Sequence, residues 1–215
     1  MIPTDFLQDA LQRYCEQHSE ALPYYLTEIE RRTHRTTLAP QMISGHLQGR
    51  LLSLLSRLRR PRCIVEIGTF TGYSAVCLSE GLSSEGILHT IDIDDQYQPF
   101  YDYIREQVPK SHQIKFHSGD ALEIIPQLQG PFDLVFIDGA KKDYLRYFEI
   151  ITERCSPGCL LISDNVLWSG KVLDAQADKD TSVLKEYNQM LLHHKDWNVT
   201  IIPFRDGISV AVKVN

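Results

Sequence analysis

The chain has 215 residues, of which 43% are hydrophobic and 23% are charged. This is an ordinary globular composition, and it excludes collagen-like, coiled-coil and largely disordered chains. The 28 acidic and 22 basic residues give a net charge of −6, which argues against binding to bulk nucleic acid or to a membrane surface. No basic and apolar leader opens the sequence, no apolar run approaches the roughly 18 residues of a membrane span, and the five cysteines are scattered. We therefore expect a cytoplasmic protein with reduced thiols.

The first sixty residues have the apolar spacing of helices. Thr4-Asp5 can cap a first helix. The apolar face of this helix comprises Phe6, Leu7, Ala10, Leu11 and Tyr14. A second helix is predicted over residues 22–32, and a third begins near Pro40. The apolar face of the third helix comprises Leu47, Leu51, Leu54, Leu55 and Leu58. We expect a single domain over residues 1–215, in which 1–60 form a helical cap and 61–215 form the core.

After Pro61, short apolar runs alternate with amphipathic helices. Strands are predicted at 63–67, 86–92, 114–117, 132–137 and 159–163. Continuous apolar runs are typical of a parallel sheet covered on both faces, and the β-α-β-α order gives right-handed crossovers. Two later strands, 198–202 and 208–213, flank the turn signal Asp206-Gly207 and predict an antiparallel hairpin at one sheet edge. The predicted fold class is α/β with a doubly wound, mostly parallel sheet.

A glycine-rich turn follows the first strand in the sequence Glu66-Ile-Gly68-Thr-Phe-Thr-Gly72-Tyr-Ser74. Ligands of open α/β sheets bind beyond the carboxyl ends of the strands, where glycines allow close approach of the backbone. The glycine spacing is looser than the pyrophosphate-binding fingerprint, and Glu66 repels a diphosphate but suits a cationic ligand. The turn therefore favours S-adenosylmethionine (SAM) over NAD. An NAD-dependent oxidoreductase and a non-catalytic nucleotide-binding module remain the alternatives.

Acidic residues follow the next two strands. Asp92 ends the second strand, where it can accept hydrogen bonds from a ribose diol. Asp120 and Ala121 follow the third strand, where a side chain can meet an adenine amino group. The plain alternative is a tight strand-to-helix turn with solvated acids.

A second polar cluster follows the fourth and fifth strands. The fourth ends in Asp138-Gly-Ala-Lys141 and the fifth in Asp164-Asn165. Asp138, Asp164 and Asn165 offer hard oxygen ligands that suit Mg²⁺ or Mn²⁺ and leave coordination positions for substrate oxygens. The alternative is that each acid only caps a helix.

Together these motifs resemble the cation-dependent, SAM-dependent O-methyltransferases of the catechol and caffeoyl-CoA type. The resemblance extends from Gln48-Gly49-Arg50 to Asp206-Gly207-Ile208. It implies a seven-stranded Rossmann-like sheet with one reversed strand, a phenolic acceptor that is a vicinal diol, and a homodimer. Gly139 and Ala140 stand where many members have Ala and Asp, so the wall beside the metal is smaller and uncharged.

The resemblance also assigns roles to individual residues. Lys141 is implied to be the general base. The implied metal ligands are Asp138, Asp164 and Asn165. The implied cofactor contacts are Glu66, Gly68, Ser74, Asp92, Ala121 and Asp138, the last of which faces the cofactor's ammonium group.

Overall fold

The computed structural model describes the backbone of residues 4–215 and the side chains from Ala10 onward. The side chains of Thr4 and Asp5, which were predicted to cap the first helix, and those of Phe6 and Leu7 lie outside the described part. Seven strands form one sheet in the order β3-β2-β1-β4-β5-β7-β6. The strands are β1 (Cys63–Ile67), β2 (Ile87–Asp92), β3 (Ile114–Ser118), β4 (Phe132–Ile137), β5 (Cys155–Ser163), β6 (Trp197–Ile202) and β7 (Ile208–Lys213).

The helices cover both faces of this sheet. They are α1 (Thr4–Gln17), α2 (Tyr24–Thr36), α3 (Gly45–Arg59), α4 (Tyr73–Ser79), α5 (Gln98–Gln107), α6 (Ala121–Ile124), α7 (Tyr144–Thr152) and α8 (Lys179–His193). Short 3₁₀ turns, including one at Pro40–Met42 and one at Lys141–Asp143, lie between them. No helix of residues 4–215 is both long enough and apolar enough to cross a membrane.

The strand pairing confirms the predicted fold class. Strands β1 to β5 pair in parallel, and β7 runs antiparallel to both β5 and β6. The C-terminal hairpin therefore lies at one sheet edge and reverses one strand. The chain winds outward from β1 in one direction and from β4 in the other. The topological switch point lies between β1 and β4, where open α/β sheets place their ligands.

Helix α3 buries a different face from the one that apolar spacing predicted. Leu54 and Leu58 are 55% and 74% exposed, and Leu11 and Tyr14 of α1 are exposed as well. The inward face of α3 carries small residues, because it packs closely on α4. A Cβ at Gly49 would lie 2.6 Å from the ring of Tyr73. The apolar-face predictions for α1 and α3 were therefore wrong for these residues.

The first helices also have different limits from the predicted ones. Helix α2 continues to Thr36, and α3 begins at Gly45 rather than near Pro40. The start is delayed because Ile43 is extended after the 3₁₀ turn and Gly45 has a φ of +73°. The N-terminal helices belong to the main core, since Leu26 and Leu52 lie in the same buried cluster as β1 and α4.

All five cysteines are free thiols in the structure. Cys15 is exposed and the other four are buried. Cys155 and Cys159 both lie in β5, which begins four residues earlier than the predicted strand because the chain already pairs with Phe132 of β4 at Cys155.

Candidate functional site

A narrow cleft lies at the switch point between β1 and β4. Its walls are the segment before α3, the glycine-rich turn after β1, the start of α4 and the end of β4. The lining residues are Met42, Ile43, Ser44, Gly68, Thr69, Phe70, Thr71, Tyr73, Ser74 and Asp138. Three residues that the sequence predicted as cofactor contacts, Gly68, Ser74 and Asp138, therefore meet in one cleft.

Gly68 is required by the close approach of β1 and β4. The Asp138 amide donates to the Ile67 carbonyl at 2.8 Å. Gly68 has a φ of +100°, and a Cβ there would lie 2.2 Å from the Asp138 carbonyl oxygen. Any side chain at this position would push the two strand ends apart.

Asp92 fixes the conformation of the glycine-rich turn. Its Oδ2 accepts hydrogen bonds from the amides of Thr69 at 2.9 Å and Phe70 at 2.7 Å. Its Oδ1 accepts from the amide of Asp94 at 3.0 Å. Sequence reasoning identified Asp92 only as a partner for a ribose. The structure adds an anchoring role, and a carboxylate oxygen has lone pairs for more than one donor.

Glu66 is fully buried directly behind the cleft. The Thr90 hydroxyl donates to its Oε2 at 2.5 Å, whereas its Oε1 has no hydrogen-bond partner among the described residues. Burial raises the pKa of Glu66 to about 8, although the polar side chains of Ser74 and Thr90 oppose this rise. A buried oxygen without a partner is costly. This oxygen therefore fits a ligand that brings a cation or a hydrogen-bond donor.

The structure places Asp120 and Ala121 at the start of α6. The exposed Asp120 is the N-cap, and its carboxylate accepts the Leu122 amide at 2.8 Å. Ala121 is buried. The described contacts show that Asp120 caps α6, whereas contact of Asp120 or Ala121 with an adenine stays a prediction.

Lys141 and Asp138 form a half-buried ion pair at the end of β4. Lys141 Nζ lies 3.1 Å from Asp138 Oδ1, and the lysine side chain is only 12% exposed. Burial raises the pKa of Asp138, and the Lys141 ammonium opposes this rise. Lys141 Nζ also donates to the Tyr144 hydroxyl at 3.0 Å, which in turn donates to the Asp164 carbonyl at 3.0 Å. Sequence reasoning missed Tyr144, although its spacing of three residues from Lys141 at a helix start was a usable signal.

Asp164 and Asn165 end β5 beside this pair. Asp164 Oδ1 accepts the Asn165 amide at 2.7 Å, and Asp164 Oδ2 accepts the side-chain amide of Gln48 at 2.6 Å. Asn165 has a φ of +56°, a left-handed conformation that Asn tolerates better than most residues. Gln48 Oε1 accepts from Arg205 Nη1 at 3.0 Å. Sequence reasoning missed the contacts of Gln48 and Arg205, which lie far from Asp164 along the chain.

The donor chemistry at these strand ends fits a divalent cation. Two carboxylates and one amide oxygen are the hard ligands that Mg²⁺ or Mn²⁺ prefers. Within the described residues no three His, Cys, Asp or Glu side chains cluster as metal ligands, so the set depends on Asn165. Lys141 and Gln48 each donate to one carboxylate oxygen, and no described residue donates to Asp138 Oδ2 or to the side-chain oxygen of Asn165.

Comparisons with known proteins identify the family of the chain. A family profile described as O-methyltransferase matches residues 16–214. A catechol O-methyltransferase of Niastella koreensis is 31% identical over 77% of this chain and 79% of its own length. Caffeoyl-CoA O-methyltransferase 2 of Petunia hybrida is 28% identical over 78% of this chain and 75% of its own length.

The solved structures that resemble this chain include O-methyltransferases as well. The O-methyltransferase TomG from Streptomyces achromogenes, which is involved in tomaymycin synthesis and was solved with SAM, has a TM-score of 0.89 and 30% identity, with 96% of each chain covered. An O-methyltransferase from Bacillus cereus, solved with S-adenosylhomocysteine (SAH), has a TM-score of 0.85 and 27% identity over 95% of this chain and 97% of that one. SAM is therefore the cofactor that the comparisons support, rather than the alternative NAD. The chain belongs to the SAM-dependent O-methyltransferase family of the catechol and caffeoyl-CoA type.

Proposed function

We propose that this O-methyltransferase methylates a phenolic hydroxyl, specifically one hydroxyl of a vicinal diol. The observation that carries the proposal is the position of Lys141. Its Nζ lies 3.1 Å from Asp138, and Asp138 lines the same cleft as the glycine-rich turn. Lys141, which we propose as the proton acceptor, therefore adjoins the cofactor cleft, and methyl transfer to a hydroxyl needs such a neighbour.

The cofactor contacts that we propose follow from the sequence and from this geometry. The unpartnered Oε1 of Glu66 would accept from the cationic amino acid end of SAM, close to Ser74 and Gly68. Asp138 would face the same ammonium group from β4. Asp92 would accept from the ribose, and Asp120 and Ala121 would adjoin the adenine.

In the reaction the acceptor oxygen forms a bond to the methyl carbon while the carbon–sulfur bond breaks and sulfur retains the electron pair. The hydroxyl proton passes to the lone pair of Lys141 Nζ in its neutral amine form, which becomes the ammonium. Asp138 and the Tyr144 hydroxyl hold this nitrogen in place from two sides. Correct in-line placement of the acceptor oxygen accounts for much of the acceleration in a displacement of this kind.

Asp138, Asp164 and Asn165 would hold a Mg²⁺ or Mn²⁺ ion at the same edge. When bound, such an ion supplies positive charge that lowers the pKa of a hydroxyl and favours an acceptor with two adjacent oxygens. The names of the catechol and caffeoyl-CoA relatives support a phenolic acceptor of this class. A homodimer and a cytoplasmic location stay predictions.

The test compares initial rates on catechol and on phenol, with Mg²⁺ and with EDTA. We expect catechol to be methylated on the order of 10²-fold faster, the scale of lost orientation. EDTA should abolish activity, and added Mg²⁺ or Mn²⁺ should restore it. Equal rates on the two acceptors, or full activity in EDTA with no metal found by elemental analysis, would contradict the proposal.

A further inference from the structure

The loop between β6 and β7, residues 203–207, contacts two walls of the site, the segment after β5 and the segment before α3. On one wall it binds the segment that follows Asn165. The carbonyls of Gly207 and Asp206 accept the amides of Val166 at 3.1 Å and Leu167 at 3.0 Å. Gly207 must be glycine here, since it has a φ of +84° and a Cβ would lie 2.3 Å from the Leu167 side chain.

The other wall is the segment just before α3, which we call the strap (residues 40–44). Arg205 reaches it from the loop. Both Nη atoms donate to the Ile43 carbonyl at 3.2 Å, and Nη1 also donates to the Ser44 carbonyl. Arg205 does so from a φ of +51°, a backbone conformation that residues with a side chain rarely adopt. A strained residue that makes several ordered contacts is a candidate for a functional role.

The strap forms one wall of the cofactor cleft. Ile43 and Ser44 are buried and face the glycine-rich turn across it. The backbone amides of Met42 and Ile43 bond only inside the strap region, to Ala39 and to Pro40. The carbonyls of Ile43 and Ser44 accept hydrogen bonds from Arg205, which join the strap to the loop between β6 and β7.

The cleft between the strap and the glycine-rich turn is narrow. The free volume between the strap and the glycine-rich turn is about 20 Å³, whereas sites for small organic molecules usually have about 300–1,000 Å³. Asp92, Asp120 and Ala121 do not line this space, so it is the inner part of the proposed cofactor site, and the part of SAM that binds there needs its walls to separate. Asp92 fixes the glycine-rich turn and strand pairing fixes the end of β4, so the strap is the wall best able to shift.

We infer that Arg205 is a positioning residue that holds the strap closed over SAM, and that these hydrogen bonds break when SAM enters and SAH leaves. The same guanidinium orients Gln48. Because arginine can only donate, Gln48 Oε1 must face it, and Nε2 is then directed to Asp164. Closure of the strap thus orders a residue of the acceptor side at the same time.

The test measures the dissociation rate of SAH from the full-length protein by stopped-flow. The variants are Arg205→Ala, Arg205→Lys and a control, Arg146→Ala, whose side chain is 64% exposed and pairs only with Asp143 among the described residues. Loss of charge-assisted hydrogen bonds should speed SAH release about tenfold or more in Arg205→Ala. We expect a smaller increase in Arg205→Lys and none in the control.

Hydrogen exchange on the same proteins separates this role from a loss of overall stability. Amides of residues 40–48 should exchange faster in Arg205→Ala with SAH bound, while those of β1 and β4 keep their protection. If Arg205→Ala does not fold, Arg205→Lys and Arg205→Gln supply the same two measurements.

An unchanged SAH dissociation rate in the Arg205 variants, or a higher KM for the acceptor alone, would overturn the inference. It rests on the cofactor and not on the acceptor that we propose. SAH binding to the unaltered protein checks the cofactor in the same experiment, whatever the acceptor is.

Discussion

The cofactor side and the acceptor side share one sheet edge but are held together differently. On the cofactor side, Asp92 binds the glycine-rich turn only 22 and 23 residues away in sequence. On the acceptor side, Asp164 binds Gln48 across 116 residues, and Gln48 binds Arg205 across 157. The first is a local motif of one β-α-β unit, and the second forms only when the two ends of the chain meet. Variants of the two sides should therefore separate cofactor affinity from the rate of methyl transfer.

The largest effect is expected on the acceptor side. Lys141→Ala should lower kcat by about 10²–10⁴-fold, the usual contribution of a positioned proton acceptor, and leave SAM affinity nearly unchanged. Steady-state rates and calorimetric SAM titration check both parts. Lys142→Ala is the matched control, since that neighbouring side chain is 64% exposed. Activity within a few-fold of the unaltered protein would show that Lys141 is not the base.

On the cofactor side, Asp92→Ala should weaken SAM binding by roughly 1.5–3 kcal/mol, the scale for charge-assisted hydrogen bonds. The loss has two sources, because the variant removes the predicted ribose acceptor and releases the amides of Thr69 and Phe70. The kcat at saturating SAM should change much less than the affinity. If calorimetry gave the same affinity as for the unaltered protein, neither role of Asp92 would stand.

Glu66 gives a pH dependence of stability on the cofactor side. Its folded pKa of about 8 lies above the ordinary value of 4.5 because the carboxyl is buried. As the pH rises, the carboxyl of the folded protein therefore keeps its proton to a higher pH than the carboxyl of the unfolded chain. The stabilisation that this pKa difference of Glu66 gives is complete below pH 4.5 and is lost as the pH rises through 8.

Between pH 4.5 and pH 8, the free energy of unfolding should fall by about 1.4 kcal/mol per pH unit because of Glu66. Urea unfolding of the cofactor-free protein at pH 5, 6 and 7 measures it against Glu66→Gln, which cannot titrate. The same pH dependence in both proteins would show that Glu66 is charged in the folded state.

The smallest effect concerns Asp120, where a pair of variants separates two roles. Asp120→Ser keeps a capping oxygen for α6, whereas Asp120→Ala removes it and should cost about 1 kcal/mol of stability. If the carboxylate also meets the adenine, both variants should weaken SAM binding several-fold. Thermal unfolding and calorimetry measure the two effects. An unaltered SAM affinity in Asp120→Ser would show that Asp120 caps α6 and does not bind the adenine.

Much of the fold could be predicted from the sequence because its signals are local. Continuous apolar runs identify the five parallel strands, and Asp206-Gly207 identifies the hairpin turn. The inward face of α3 could not be predicted from periodicity. Periodicity assumes that large apolar residues face inward, whereas close packing on α4 selects Gly49 and other small residues.

The site divides in the same way. Strand ends predicted that Asp138, Lys141, Asp164 and Asn165 lie at one edge, because parallel strands bring their carboxyl ends together. No local sequence pattern indicates the hydrogen bonds of Gln48 with Asp164 and Arg205. They depend on an N-terminal helix and a C-terminal loop that become neighbours only in the folded sheet.

The most direct test of the central claim is ¹³C NMR of a single turnover with SAM labelled at the methyl carbon, catechol and Mg²⁺. The account predicts that the unaltered protein moves the label to a methoxy carbon on a catechol oxygen. Lys141→Ala should bind SAM equally well and form this product at least about 10²-fold more slowly. A label that stays on SAM in the unaltered protein, or that appears on carbon instead of oxygen, would contradict the account.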